Sequence, residues 1–169
     1  RVVVTAMLAF MLSYYCLLPL LAPLLVRPVL AATVTRMDRG ICLQTHDYTC
    51  GPAAAVTVLR ILGLPADEGQ LAIAAQAGPA VGTNPQRLAA AITRRYAAER
   101  LRCEYRHVAK LEAMPIPAIA NLSSNVLRDH YVAVLEVTAD FVVIGDPLSG
   151  RERLSREDFL AEWTHAAHV

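Results

Sequence analysis

The most constraining feature of the sequence is an apolar segment near its start. Residues 2–26 contain no Asp, Glu, Lys or Arg. A helix rises about 1.5 Å per residue, so a segment of this length can cross a hydrocarbon core of about 30 Å. We therefore predict a transmembrane helix within residues 1–32 that anchors the chain. Residues 33–169 suffice for one domain, since domains of about 100 to 200 residues are common.

A cleaved secretory signal is the alternative interpretation, because small residues at positions 31–32 would suit a cleavage site. The segment exceeds the apolar core of a signal peptide, which is about 7 to 15 residues long, so we favour the anchor. Three arginines follow the segment and one precedes it: Arg27, Arg36 and Arg39 against Arg1. By the positive-inside rule, this asymmetry predicts that the domain is cytoplasmic.

Charge and cysteine usage limit the choice of partners. The chain has 16 Lys and Arg against 15 Asp and Glu, so no basic excess attracts nucleic acid, and we predict no such partner. The four cysteines include Cys16 in the apolar segment, and none of their spacings is typical of a disulfide framework or a metal motif. We expect Cys42 and Cys103 to be small buried apolar residues.

The first half of the domain has helical periodicity. Residues 50–62 carry apolar side chains at helical spacing before a glycine and a proline end the run. A second helix is predicted within residues 67–78 with Asp67 as its N-cap. A third is predicted over about residues 84–100, with Pro85 in its first turn. We therefore expect three helices before residue 101.

The second half contains short runs rich in β-branched and aromatic residues, which predict strands. These runs are residues 103–108, 116–121, 130–138 and 141–144. The third run has little polar alternation, which predicts a central strand that is buried on both faces. Ser155 and Asp158 resemble a capping box and predict a last short helix through Trp163. Helices followed by strands predict an α+β domain, with a helical first half packed on an antiparallel sheet.

Cys50 is predicted to lie at the N-terminus of the first of these helices. A helix N-terminus favours negative charge, and the thiolate is the nucleophilic form of cysteine. Gly51 would leave room for a substrate backbone, and Pro52 suits a first helical turn. Taken alone, this local sequence is as compatible with a buried structural cysteine as with a nucleophile.

Gln44 lies six residues before Cys50, in a loop that must return toward the helix start. Its carboxamide N–H and the backbone N–H of Cys50 could then donate to the same oxyanion. Each such donor is typically worth roughly 3 to 4 kcal/mol of the barrier. We therefore predict that Gln44 belongs to an oxyanion hole; the alternative is a solvated loop side chain.

His130 begins one predicted strand and Asp146 ends the next. Adjacent antiparallel strands joined by a turn near residues 139–140 would place these two residues side by side. A carboxylate that accepts one ring N–H fixes the histidine tautomer and leaves the other nitrogen to face a thiol. Although each residue taken singly is more often structural, together they predict that Cys50 is a nucleophile, His130 its base and Asp146 the orienting group.

These residues also carry a family resemblance. The segments that carry it are Gln44 with Cys50-Gly51, then Asp129-His130-Tyr131-Val132, then Asp146-Pro147 with Gly150, and finally Ser155, Phe159 and Trp163. The pattern resembles the bacteriocin-processing, double-glycine cysteine peptidases, known mostly as the N-terminal domain of peptide-exporting ABC transporters. The resemblance covers roughly residues 37–163.

The resemblance implies a papain-like fold, catalysis by Cys50, His130 and Asp146, and an oxyanion hole that includes Gln44. It also implies a peptide substrate, such as a leader peptide cut after two glycines on the cytoplasmic side, and an ABC exporter as partner. We predict a membrane-anchored, stand-alone cysteine endopeptidase without cofactor or metal. One departure is Thr49, which stands where an acidic residue often precedes the nucleophile.

Three other interpretations compete with this prediction. A transglutaminase-like acyl transferase could use the same three residues, and a non-catalytic module could bind peptides without cutting them. His46 with Cys42 and Asp47 could suggest zinc, but these ligands lie in one short stretch without a second pair. We expect the later histidines to be on the surface: His107, His165 and His168.

Overall fold

The computed structural model describes residues 2–79, 82–125 and 128–169, without the side chains of residues 2, 16–20, 124–125 and 128–129, which include those of Cys16 and Asp129. The described residues form six α-helices: α1 (Val2–Leu25), α2 (Arg27–Ala31), α3 (Cys50–Ile61), α4 (Glu68–Ala74), α5 (Pro85–Arg95) and α6 (Arg156–Glu162). They also form eight strands: β1 (Arg36–Asp38), β2 (Ile41–Leu43), β3 (Tyr105–His107), β4 (Ala118–Asn125), β5 (Arg128–Val137), β6 (Phe141–Asp146), β7 (Gly150–Ser155) and β8 (Trp163–His168).

A six-stranded antiparallel sheet in the order β3-β8-β4-β5-β6-β7 forms the base of the domain. β5 lies inside this sheet, and Val132, Ala133 and Val134 in it have no solvent exposure. Alternating side chains of a strand point to opposite faces, so burial of three in succession requires cover on both sides. The predicted central strand is therefore confirmed.

Different helices cover the two faces of β5. Ala53 and Val56 of α3 share a hydrophobic core with Ala133, whereas Phe159 of α6 shares another with Val132. These contacts bury the apolar stripe of each helix, which is the main source of helix stability in a domain. The prediction of an α+β domain with its first helices packed on an antiparallel sheet is confirmed.

The starts of α4 and α5 agree with the sequence predictions. The Asp67 side chain accepts a hydrogen bond from the backbone of Gln70 at the start of α4, and Asn84 caps α5 in the same way. α5 ends at Arg95, about five residues earlier than predicted. Tyr96 leaves helical geometry, with φ of −109°, and its buried hydroxyl donates to the carbonyl of Pro65 at 2.8 Å.

Several strands have no counterpart in the sequence predictions. β1 and β2 form a hairpin before the first predicted helix of the domain, and Arg39 and Gly40 have φ of 44° and 86° at its turn. β8 lies where only a helix end was expected, between β3 and β4. Strands of three residues are too short to show an alternating pattern, and β8 is stabilised by partners that are distant in sequence.

His168 in β8 contradicts the predicted surface position. It is 2% exposed, its ring lies 5.0 Å from that of Tyr105 and 5.7 Å from that of Tyr131, and its Nε2 is 3.0 Å from the carbonyl oxygen of Pro85. Burial disfavours the charged imidazolium and lowers the pKa of His168 to about 4. His168 is therefore a neutral core residue.

The N-terminal helices contact the domain through α2. Leu30 is buried against Ala72 and Ala77, and its carbonyl oxygen would lie 2.1 Å from a Cβ at position 69, so Gly69 permits this approach. No helix among the described residues combines the length and apolar character needed to cross a membrane. The predicted transmembrane helix is thus not supported by the structure.

Candidate active site

Cys50 is the first residue of α3, as predicted, and is half-buried. The first N–H groups of a helix have no intrahelical acceptor, so several backbone donors surround the start of α3. A Cβ at Gly51 would lie 2.9 Å from the Thr83 methyl carbon. The glycine is therefore explained by close packing against Thr83, rather than by the open approach for substrate that the sequence suggested.

His130 and Asp146 lie side by side on β5 and β6, the strands predicted to bring them together. The distance between His130 Nε2 and Asp146 Oδ1 is 2.9 Å, and the two side chains are 14% and 15% exposed. A carboxylate can only accept hydrogen bonds, so Nε2 donates. The Asp146 Oδ1 atom also accepts from the backbone N–H of Leu148 at 2.6 Å, which fixes the carboxylate.

The second nitrogen of the His130 ring interacts with Cys50. Burial alone lowers the pKa of His130, but the side-chain hydrogen bonds to Asp146 and Cys50, with the charges of both partners, raise this pKa to about 9. Since Nε2 is engaged by Asp146, Nδ1 is the ring nitrogen that remains for Cys50. The structure therefore brings Cys50, His130 and Asp146 together, and the hydrogen bond between His130 and Asp146 orients the ring.

The ionised form of Asp146 is favoured. Burial raises the pKa of this carboxyl group, and the hydrogen bond from His130 and those from the backbone of Leu148 and Ser149 together lower it below its ordinary value. A buried carboxylate that accepts several hydrogen bonds stays charged at neutral pH. Asp146 can therefore stabilise a protonated His130.

Gln44 follows β2, and its position is tied to the same region. Its backbone N–H donates to the carbonyl of Pro147 at 2.8 Å, directly after Asp146. Its side-chain Nε2 donates to the carbonyl of His46 at 3.1 Å, which uses one of the two amide hydrogens. The other hydrogen remains for a second acceptor, and the role of Gln44 in an oxyanion hole stays a prediction.

No sequence pattern indicated that Glu68 would contact Thr49, the residue before Cys50. Its carboxylate has no solvent exposure and accepts hydrogen bonds from Thr45 and Thr49, in the loop of residues 44–49 that we term the nucleophile loop. The one related signal in the sequence is Thr49, which stands where an acidic residue often precedes the nucleophile. Two acidic residues at a helix start, Asp67 and Glu68, ordinarily indicate capping and solvent exposure.

The residues of the zinc interpretation do not converge. His46 stacks on Tyr48 with ring centroids 5.4 Å apart, and its Nε2 lies 3.3 Å from the Thr33 hydroxyl oxygen. Burial raises the pKa of Cys42 to about 12. Across the part of the chain that the structure describes, no three such residues form a potential metal site.

The comparison with protein families decides the assignment. The model of the peptidase C39 family matches residues 38–168, which include all of Gln44, Cys50, His130 and Asp146. The chain belongs to the peptidase C39 family. The family assignment confirms the prediction of a cysteine peptidase and favours it over the acyl-transferase and binding-module interpretations.

Relatives of this C39 peptidase include proteins with and without a described role. An uncharacterized protein of Methanothermobacter marburgensis is 33% identical over 122 residues, covering 72% of this chain and 81% of that protein. The probable functional amyloid protease FapD of Pseudomonas aeruginosa is 29% identical over 126 residues, covering 71% of this chain. The match spans only 55% of the length of FapD.

Solved structures confirm the fold of the C39 peptidase. One similar structure is a double glycine motif protease from an AMS/PCAT transporter in complex with the leader peptide. Its TM-score is 0.66 at 20% identity, and the match covers 81% of this chain and 97% of that one. The peptidase domain of Streptococcus ComA, a bifunctional ABC transporter involved in quorum sensing, is similar with a TM-score of 0.62, 24% identity and coverage of 75% and 93%.

Proposed function

We propose that this C39 peptidase cleaves peptides after a pair of glycines, with Cys50 as nucleophile, His130 as acid and base, and Asp146 as the orienting group. The observation that carries the proposal is the 2.9 Å contact from Asp146 to His130 Nε2, which directs the other ring nitrogen to Cys50. A nucleophile, a base and an orienting group in series are the elements of covalent acyl transfer.

In the proposed reaction, His130 Nδ1 takes the proton of Cys50 and the thiolate attacks the carbonyl carbon of the scissile bond. The oxyanion that forms accepts hydrogen bonds from the Cys50 backbone N–H and from Gln44 Nε2. His130 then donates its proton to the departing amine, which leaves an acyl-enzyme. A water molecule, deprotonated by His130, releases the acid and restores the thiol.

The substrate class rests on the solved relatives. The double glycine motif protease was crystallised with its leader peptide, and a 51-residue stretch of this chain is 39% identical to a lactococcin-G-processing and transport ATP-binding protein of Lactococcus lactis. We propose a leader peptide as substrate and an ABC exporter, which transports the released peptide, as partner. The domain would then act on the cytoplasmic side.

We propose in addition that α1 attaches the peptidase to a membrane. Phe10, Tyr15 and Leu25 are about 70% exposed on a helix without charged residues, and such a surface is better solvated by lipid than by water. The full chain should float with phospholipid vesicles in a density gradient, whereas a chain that lacks residues 2–26 should not. If the full chain also fails to float, the attachment is refuted.

The proposed activity can be tested with a synthetic peptide that contains one internal Gly-Gly pair. Mass spectrometry should show a single cut after the second glycine, and a matched peptide with Val-Val in its place should stay intact. A primary amine in the mixture should yield no adduct, whereas an adduct would indicate an acyl transferase. Cuts at other sequences would refute the double-glycine substrate, and binding without any cut would indicate a non-catalytic module.

A further inference from the structure

Glu68 is a buried carboxylate with an unusual set of partners. It is the first residue of α4 and has no solvent exposure. Burial of a carboxylate is costly unless hydrogen bonds replace those of water. In the described ranges, no Lys or Arg side chain forms an ion pair with it. Its carboxylate is compensated instead by hydrogen bonds from two threonines.

Both threonines belong to the nucleophile loop. Glu68 Oε1 accepts from the backbone N–H of Thr45 at 2.8 Å and from the Thr49 hydroxyl at 2.6 Å, and Oε2 accepts from the Thr45 hydroxyl at 2.7 Å. Hydrogen bonds to an ionised acceptor are about twice as strong as neutral ones. The carboxylate thus joins the two ends of the loop.

The two ends are adjacent to residues of the proposed oxyanion hole. Thr45 directly follows Gln44, and Thr49 directly precedes Cys50. The hydrogen bonds of Glu68 therefore hold the two loop residues that are bonded directly to Gln44 and Cys50. Preorganised donors stabilise an oxyanion only when both lie at hydrogen-bond distance from it.

The start of α4 is itself held from the opposite side. The backbone N–H of Glu68 donates to the Thr35 hydroxyl at 3.0 Å, and that hydroxyl donates to Asp67 Oδ2 at 2.7 Å. The Leu30 carbonyl packs closely on Gly69. The carboxylate consequently projects into the nucleophile loop from a fixed point of the domain.

We propose that Glu68 is a positioning residue for peptide cleavage, which holds the two oxyanion donors, Gln44 and Cys50, in register. This inference rests on the proposed function, because it assigns Glu68 a part in the same reaction. Glu68 acts through the nucleophile loop and does not contact the reacting atoms. The family resemblance led us to expect an acidic residue at position 49, in the loop itself. In this chain Glu68 of α4 places a carboxylate next to Thr49 instead.

The test compares Glu68→Ala and Glu68→Gln with the wild-type chain, using a fluorogenic coumarin amide of a peptide that ends in Gly-Gly. Glu68→Ala should lower kcat by roughly 10²-fold with little change in KM, because small displacements of reacting groups cost about that much. Glu68→Gln should stay within about threefold of wild type, since its oxygen still accepts from both threonines and neutral hydrogen bonds remain.

Ser155→Ala is the matched control for stability. It removes the N-cap of α6, whose Phe159 packs in the other hydrophobic core, so the melting temperature should fall while kcat per folded molecule stays unchanged. Gln44→Ala is the reference for loss of an oxyanion donor and should lower kcat by roughly 10²-fold. If kcat per folded molecule of Glu68→Ala equals that of wild type, Glu68 is merely structural and the inference is refuted.

Alkylation of Cys50 by iodoacetamide, followed by mass spectrometry of the Cys50 peptide, separates this inference from the proposed function. Alkylation needs the thiolate but no oxyanion hole, so its rate in Glu68→Ala should match wild type even though cleavage is slow. A parallel loss of alkylation would show that the Cys50–His130 pair was displaced instead, which would overturn the inference. A wild-type chain that is alkylated but cleaves nothing would refute the proposed function itself.

Discussion

Replacement of Cys50 by alanine is expected to abolish peptide cleavage, with kcat reduced by roughly 10⁶-fold. The side chain supplies the only atom that bonds to substrate in the proposed reaction, so no other group can substitute for it. Cys50 is half-buried at a helix start, where alanine fits well, so we expect the free energy of unfolding to change by less than about 1 kcal/mol. Single-turnover assays and thermal unfolding measure the two quantities.

Cys42→Ala and Cys103→Ala are the controls for this experiment. Burial raises the pKa of both thiols to about 12, so neither is reactive near neutral pH. Both variants should cleave at the wild-type rate per folded molecule, although loss of a buried side chain should lower their stability. Cleavage by Cys50→Ala at a rate near that of wild type would eliminate Cys50 as the nucleophile.

Replacement of His130 by alanine should be the second most damaging change, lowering kcat at pH 7 by at least about 10⁴-fold. An unassisted thiol has a pKa of about 8.5 and is only a few per cent thiolate at that pH. The leaving amine also loses its proton donor. Both the attack on the carbonyl and the collapse of the intermediate are therefore slowed.

The pH dependence identifies this role of His130. Its pKa of about 9 means that the imidazolium persists up to that pH and is lost above it. Wild-type kcat/KM should consequently fall as the pH rises through about 9. In His130→Ala, the residual rate should instead rise through pH 8 to 9, because the thiolate forms there with an ordinary pKa of about 8.5. Equal profiles for the two proteins would contradict the assignment.

Asp146→Asn provides a graded comparison. Asparagine can still accept the hydrogen bond from His130 Nε2, so the orientation of the ring should survive. The negative charge that helps to raise the pKa of His130 is lost. We expect a smaller loss of kcat than in His130→Ala and a decline of kcat/KM that begins at lower pH. A profile unchanged from that of wild type would show that Asp146 does not tune His130.

The predictions that succeeded rest on signals that are local in sequence. The caps Asp67 and Asn84 act within three residues of themselves, and the hairpin of β5 and β6 needs only a turn between two apolar runs. That hairpin by itself brings His130 to Asp146. Cys50 meets them because α3 packs on β5, which the burial of apolar residues on both elements requires.

The features that escaped prediction depend on contacts between distant segments. The sequence around Glu68 is typical of a solvated helix start. Glu68 is buried because the nucleophile loop lies against α4, and Thr49 in that loop is 19 residues from Glu68 in the sequence. The sequence around His168 is typical of a polar surface segment. His168 is buried because β8 lies in the sheet beside β4. Neither position has a periodic or capping pattern that sequence inspection could recognise.

The different surroundings of the cysteines have a consequence for oxidative stress. Oxidation by peroxide starts from a thiolate, and the first product, a sulfenic acid, can be reduced again. Cys42 and Cys103 stay protonated inside the core. Of the three cysteines whose side chains the structure describes, Cys50 should therefore be oxidised first. A brief exposure to peroxide would inactivate the peptidase while its core remains intact, and a thiol reductant would restore its activity.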